Sequence, residues 1–530
     1  MSARRFATEL GDFARYARRL NSFVREQLTP AAARTRIEEQ LRARTDTFLD
    51  LLDQAVYRNP ASPYLPLLQA AGAELGDVTR LVRSDGLEAT LGRLYDDGVY
   101  VTLDEFKGRV PLERSGLSLP PGHRAFDNPL RTARFQIVSG GSRGVQRRLT
   151  TNLELLDYEA ASHLLFLEAY GLRGRPFVLW RVQLPSPSGL NNSLRHVKSG
   201  GSVGEWFTPY APPRGVEALK FALFTRYTVR AARLLGARLR LPKYCPPQEA
   251  GRVAGWLAAR TAAGNPSFCD MQAGLGIRTC LAARAESLDI SGSFFRFGGE
   301  PFTEEKAKVV ADAGCRAVCH YTMGETGRIA VACGDPETFD DMHFLADKLA
   351  VLQRDRQVGS TAVVGAFHYT SLLRSSPKVL INVESDDYGE LIERRCGCPL
   401  GEAGLSTHIR SVRSYEKLTS EGNHFLGSDL LVLVDRVLPA RFGGDPGDYQ
   451  LVEEEVGGLP KLSVVVRPSI GKLDEQEVVG AVLNHLRAEQ RNRLMADFWR
   501  DAETLRVVRR EPYMTSAGKI LPLHFAKGTR

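Results

Sequence analysis

Apolar residues recur three and four positions apart through residues 1–60, at Phe13, Tyr16, Leu20, Phe23 and Val24, and this period predicts helices. The three prolines of NPASPYLP, starting at Asn59, break the pattern. Residues 65–130 mix short helices with loops and close on the Pro/Gly-rich SLPPGH. DYEAASHLLFLEAYGL, from Asp157, reads as a buried helix and RPFVLWRVQL as a strand, while SPSGLNNSLRHVKSGGSVG reads as a long polar loop or crossover. Four apolar strand candidates follow, SFFRFGG, CRAVCHYT, RIAVACG and VLINVES, separated in part by helical stretches. That alternation predicts an α/β architecture.

A second unit begins near residue 412. It contains the apolar runs DLLVLVDRVLP, DYQLVEEE and KLSVVVRP, then a helix, DEQEVVGAVLNHL, with Asp474 as N-cap. Two or three strands with such helices make a small α+β domain. A chain of 530 residues is too long for one compact core. The predicted division is therefore 1–411, including a helical extension over 1–60, and 412–530.

The net charge of +8 is modest for this length, and the basic residues are interspersed with acids. That balance is compatible with an anionic ligand and gives no nucleic-acid footprint. No apolar run approaches the roughly 18 residues a bilayer span needs. The Arg-rich N-terminus carries Glu9 and Asp12 and has no apolar signal core, so it reads as a surface helix. Eight cysteines are too sparse for a disulfide scaffold and point to a reducing, cytoplasmic setting.

Five segments carry candidate chemistry. FQIVSGGSRGVQRRL sets three glycines and two serines between an apolar and a cationic stretch. Such a loop can turn consecutive N–H groups toward an anion, and a plain hairpin turn uses the same residues. In RFGGEPFTEEKAKVVADAG two glycines end a strand, and Pro301, Thr303 and the acids after it suit a helix start. HYTMGETG, VRSYEKLTSEGNHF and PYMTSAGKILPLH complete the set. Taken singly, Tyr321 suits a core ring, Glu325 a solvated carboxylate and Lys519 a surface lysine.

In this order the segments resemble the adenylate-forming superfamily of acyl-CoA synthetases, adenylation domains and luciferases, most nearly its phenylacetate–CoA ligase branch. The resemblance runs from about Pro60 to Leu523. It implies a large N-terminal domain of mixed sheets and helices and a small mobile C-terminal domain. Ser139, Gly141, Ser142, Arg143 and Gly144 fall on the phosphate loop, with Arg143 where a threonine is usual. Gly299 and Glu300 fall on the adenine loop. Tyr321 would lie against adenine, Thr322 takes the place of a glycine, and Glu325 would hold Mg2+. Asp387, with Asp386 as the neighbouring alternative, matches the ribose-binding aspartate, Arg413 the arginine near the ribose and Glu416 the hinge acid. Lys519 matches the catalytic lysine.

The implied reaction is ATP-dependent, AMP-forming activation of a small carboxylic acid, followed by transfer to the thiol of coenzyme A or of an acyl carrier protein's phosphopantetheine. Amide formation, nitrite-dependent diazotisation and a non-catalytic nucleotide-binding relative are the alternatives. Some relatives in that branch also look similar in having a Cys and a His followed by a Cys-x-Cys. Cys333, His343, Cys396 and Cys398 would then form a closed tetrahedral Zn2+ site. The same residues also suit a buried strand thiol, a solvated histidine and a loop.

Overall fold

The computed structural model describes residues 3–114, 116–120, 122–130, 134–138, 148–184, 186–211, 216–358, 362–414, 433–444, 446–456, 459–488, 496, 499–500, 505–513 and 523–525. The architecture is mixed α/β. Among the described residues the largest sheet has 12 strands. One half is parallel: Lys243–Tyr244, Val203–Thr208, Phe177–Trp180, Phe268–Met271, Phe294–Phe297 and Arg316–Met323 lie side by side. The other half continues antiparallel through Gly327–Ala332, Met342–Phe344, Thr407–Ser414, Val383–Glu393, Ala362–Ser371 and Leu349–Val358.

The central parallel strands, Phe177–Trp180, Phe268–Met271 and Phe294–Phe297, are short, buried and mainly apolar. Alternate residues divide between two cores. Val178, Trp180, Cys269, Met271, Phe295 and Phe297 join one, and Phe177, Leu179, Phe268 and Phe294 join the other. The second core lies under Leu153–Ala169, the predicted buried helix. The N-terminal helix, Ala3–Arg25, is not a plain surface helix. Its apolar stripe, Tyr16, Leu20, Phe23 and Val24, is buried in that core, and Tyr16 Oη lies 3.2 Å from Thr228 Oγ1.

The sheet is strongly coiled. Val383–Glu393 lies four ladder steps from Arg316–Met323, about 19 Å across a flat sheet at the usual strand spacing. Yet Tyr321 Oη donates to Asp387 Oδ2 at 2.5 Å. Register shifts at Tyr321/Thr322, Ala366/His368 and Tyr388/Glu390 mark where extra residues bend these strands.

Three segments differ from expectation. SPSGLNNSLRHVK is a helix, Ser188–Lys198, and its polar residues turn inward. Arg195 pairs with Glu159 at 2.5 Å and Lys198 with Asp157 at 2.9 Å, so partners across the core offset the polarity that reads as loop. Leu433–Pro439, the described part of DLLVLVDRVLP, is helical, and the helix runs on to Phe442. In VLINVES the strand starts only at Val383, after Asn382 with φ 49°. Strands Tyr449–Val456, Leu459–Val466, Leu505–Arg509 and Leu523–Phe525 form a separate sheet. Asp474 caps the helix beside it, accepting from Gln476 N at 2.8 Å. Thr407–Ser414 pairs within the large sheet, so Val412, Arg413 and Ser414 stand on that sheet. No helix of the described residues is long and apolar enough to cross a membrane.

Burial holds His163 and His320 well below the ordinary histidine range, His196 down to about 3 and His368 to about 4. These rings fold neutral, and the unfolded chain binds their protons below about pH 6.5. Stability is therefore fully present above that pH and falls as pH drops, by up to ~1.4 kcal/mol per pH unit for each ring. Asp347, pushed up to about 6 by burial, works the other way below pH 6 and offsets about one ring. A melting temperature flat from pH 8 to 7 and falling steadily below 6.5 is expected; one unchanged down to pH 5 would contradict it.

Candidate functional site

A cavity of about 280 Å³ opens where the parallel and antiparallel halves meet. It is lined by Gly299, Glu300, Tyr321, Thr322, Glu325, Asp387 and Arg413. These are the seven described residues singled out from the sequence for nucleotide and magnesium contact, drawn from four separate strands and turns. Ser139, Gly141, Ser142, Arg143, Gly144, Glu416 and Lys519 lie outside the described residues. The strands flanking the glycine loop, Arg134–Val138 and Arg148–Asn152, pair antiparallel, with Val138 opposite Arg148.

Each lining residue is held by its local structure. Gly299 adopts φ 92°, which lets the chain turn sharply after the Phe294–Phe297 strand. Glu300 Oε2 accepts from Gly274 N at 2.9 Å, in the first turn of helix Ala273–Ala285, where a carboxylate meets the positive end of the helix. Thr303 caps the following helix, as its position predicts, accepting from Lys306 N at 3.3 Å. Tyr321 and Tyr369 meet at 3.4 Å between hydroxyls. Burial, with Asp387 beside it, holds the Tyr321 phenol well above its ordinary range, so it remains a donor. Ser414 Oγ donates to Asp386 Oδ2 at 3.1 Å, and Ser411 N to Asp340 Oδ2 at 3.0 Å.

Lys107 also lines the cavity, and its ammonium lies 2.9 Å from Glu325 Oε1. The sequence holds a signal for its helix, the capping box Thr102-x-x-Glu105, but none for its partner, which is 218 residues away. Five lining carboxylates, Glu300, Glu325, Asp340, Asp386 and Asp387, face two lining cations, Lys107 and Arg413. Such a wall accepts hydrogen bonds from hydroxyls and suits a cation better than a bare phosphate.

The second predicted cluster also comes together. Cys333 follows strand Gly327–Ala332, His343 lies on Met342–Phe344, and Cys396 and Cys398 precede helix Pro399–Glu402. Sγ–Sγ distances are 3.6 Å for Cys333–Cys396 and 3.5 Å for Cys396–Cys398. His343 Nε2 lies 3.1 Å from Cys398 Sγ and 3.5 Å from Cys396 Sγ. A tetrahedral zinc with Zn–S near 2.3 Å requires sulfurs about 3.8 Å apart, so the donor spacing fits the ion. The tautomer fits too. His343 Nδ1 donates to Leu405 O at 2.8 Å, which leaves the Nε2 lone pair facing the thiols. Hydrogen bonding from Cys333 pulls the Cys398 thiol well below its ordinary range, toward thiolate.

His408 was not foreseen. It stands opposite His343 in register, and one of its ring nitrogens lies within 4.8 Å of donor atoms of Cys333, His343 and Cys396. Its Nδ1 is 2.6 Å from Asp341 Oδ1, and Arg394 Nη2 donates to Asp341 Oδ2 at 2.6 Å and to Cys333 Sγ at 3.3 Å. A THIR tetrapeptide carries no local metal signal; only the strand register brings it in.

No protein-family model matches the chain, and no curated protein does. Solved structures of adenylate-forming ligases are similar. A 2-hydroxyisobutyryl-CoA ligase in a postadenylation state is 15% identical, with 94% of this chain and 91% of that chain covered and a TM-score of 0.45. An anthranilate CoA ligase bound to anthranoyl-AMP is 12% identical, with 74% and 66% covered and a TM-score of 0.35. An amide bond synthetase from Marinactinospora thermotolerans is 14% identical, with 96% and 97% covered and a TM-score of 0.33.

The Lys107–Glu325 pair is partly buried and open to direct measurement. In a double-mutant cycle of Lys107→Met and Glu325→Gln, a coupling of about 1 kcal/mol is expected from chemical denaturation. Additive effects would show that the two side chains do not meet in solution.

Proposed function

We propose that the protein activates a carboxylic acid with ATP, forming an acyl-adenylate and pyrophosphate, and then transfers the acyl group to a thiol, that of coenzyme A. What carries this reading is that seven residues chosen from four separated stretches of the chain line one cavity of about 280 Å³.

In the first step an oxygen of the substrate carboxylate attacks the α-phosphorus of ATP. The bond from that phosphorus to the β-phosphate bridging oxygen breaks, and pyrophosphate leaves with its electron pair. In the second step a thiolate attacks the acyl carbon and AMP departs. Little covalent help is needed; alignment and charge neutralisation do the work. Tyr321 supplies an aromatic wall for adenine, with its hydroxyl fixed on Asp387. Asp387 and Asp386 accept from ribose hydroxyls, and Arg413 stands beside them. The excess of lining carboxylates leaves the phosphates to cations from elsewhere, a role for Arg143 and Arg147 of the glycine loop and for Lys519. Magnesium held at Glu325 would screen the phosphate charge. It competes there with Lys107, which balances the carboxylate when no metal is bound.

The separate sheet of Tyr449–Val456, Leu459–Val466, Leu505–Arg509 and Leu523–Phe525 supports a second role for Lys519: presented for adenylation and withdrawn for thiol transfer by a turn at Glu416. Cys333, His343, Cys396 and Cys398 would hold zinc as a structural ion cross-linking neighbouring strands.

Lys519→Ala is expected to lower acid-dependent pyrophosphate release by about 100- to 1000-fold, as loss of one preorganised donor does. The same variant should still pass a preformed adenylate to thiol; equal loss of both steps would contradict the two-position account. Coenzyme A, an acyl carrier protein and an amine, offered in turn, identify the acceptor. Metal analysis of the purified protein should find about one zinc per chain, abolished in Cys396→Ser with a lower melting temperature. A ratio near zero in the unaltered protein removes the site.

A further inference from the structure

Next to the nucleotide cavity lies a buried ionic cluster that the reaction above does not use. Asp270 and Arg296 are register partners on adjacent parallel strands, and Arg181 extends the next strand. Arg181 Nη2 donates to Asp270 Oδ1 at 2.7 Å, and Arg296 Nη2 donates to Asp270 Oδ2. Across from them Glu159 accepts from Arg195 Nη2 at 2.5 Å and from Lys348 Nζ at 2.8 Å. Arg328 sends its main-chain N–H to Glu159 Oε1 at 2.7 Å. Its guanidinium is buried, beside Arg195 and Arg296.

The cluster is short of negative charge. Arg181, Arg195, Arg296, Arg328 and Lys348 are five buried cations. Burial would raise Glu159 and Asp270, but their cationic neighbours hold both down to about 2, so both are ionised. Counting Asp347, at the edge near Lys348, as ionised leaves an excess of two positive charges. Arginine cannot shed its proton to relieve this, and an unbalanced buried charge costs several kcal/mol.

The hydrogen bonding is short in the same sense. Arg328 Nη1, Arg195 Nε and His320 Nε2 are buried with no hydrogen-bond partner among the described residues. The first two are donors by nature. His320 Nδ1 lies 3.0 Å from the Cys319 carbonyl oxygen and 3.1 Å from Ala332 N, contacts that call for opposite tautomers, so its Nε2 is not counted among the donors. Two buried guanidinium donors without an acceptor among the described residues, in a cluster with excess positive charge, are placed to meet an anion.

The cluster also borders the cavity. His320 lines the cavity, and Arg181 Nη1 donates at 2.9 Å to the carbonyl of Gly298, next to the lining residues Gly299 and Glu300. Arg328 itself is the register partner of Thr322, which lines the cavity.

We infer that the substrate is a dicarboxylic acid, whose second carboxylate is received by Arg328 and Arg195. This rests on the adenylation reading above and adds to it the class of acid. Arg328 is the specificity-determining residue. Arg195 and Arg296 are already committed to Glu159 and Asp270, whereas Arg328 Nη1 has no acceptor among the described residues.

The test is pyrophosphate release from the full-length protein with acids matched in length, such as adipate against hexanoate and terephthalate against benzoate. At least one dicarboxylate should exceed its monocarboxylate partner by about 100-fold or more in kcat/KM. Arg328→Met should reduce that ratio to below about 10, and Arg328→Lys should retain more of it than Met does. Monocarboxylates equal to or better than their partners would overturn the inference and leave adenylation standing. Release with no acid of any kind would instead overturn the adenylation reading. Thermal stabilisation by inorganic phosphate or chloride alone, lost in Arg328→Met and without any dicarboxylate preference, would assign the cluster to a free anion and also overturn the inference.

Discussion

The coiling of the antiparallel half-sheet is the constraint on which the rest depends. Tyr321 and Asp387 belong to strands four ladder steps apart, yet their side chains share a 2.5 Å hydrogen bond. Tyr369, on the next strand beyond, also reaches the Tyr321 hydroxyl. A flat sheet would hold these groups about 19 Å apart, so there would be no enclosed cavity, only a row of exposed side chains. The register shifts at Tyr321/Thr322 and Tyr388/Glu390 lie next to the very residues that meet. Bending and site-building are thus the same event.

The thiol cluster bears on that geometry. Val331, His343 and His408 occupy successive positions across three neighbouring strands, and Cys333 follows directly on the first of them. These strands lie between the one carrying Tyr321 and the one carrying Asp387. A metal ion bridging Cys333, His343 and the Cys396–Cys398 loop would pin the middle of the curve. Charge is sorted as well. The cavity wall is rich in carboxylates, while the core beside it holds excess guanidinium. Separating the signs costs stability, and a bound ligand carrying both hydroxyls and anionic groups would recover it.

What could be read from the sequence was local. Glycines at the turn after Phe294–Phe297, the cap at Thr303 and the cap at Asp474 are decided by residues within a few positions. Most of the cavity residues could be chosen because each lies in a short motif, and Asp387 because it stands a fixed distance before the Cys-x-Cys. Lys107 could not, because its partner Glu325 is 218 residues away and no local pattern connects them. The Ser188–Lys198 helix was misread for a related reason. Its Arg195 and Lys198 look like solvated loop residues until Glu159 and Asp157 of another helix are placed against them. His408 reaches the thiols only through strand register, which depends on the whole sheet.

The central claim, that Tyr321 and Asp387 build one nucleotide site, is tested most directly by calorimetric titration with a non-hydrolysable acyl-adenylate analogue. The account predicts one site per chain in the unaltered protein. It also predicts an affinity about 10- to 100-fold weaker in Asp387→Asn, the loss expected for a charge-assisted hydrogen bond. Unchanged affinity in that variant, or no binding to the unaltered protein, would contradict it.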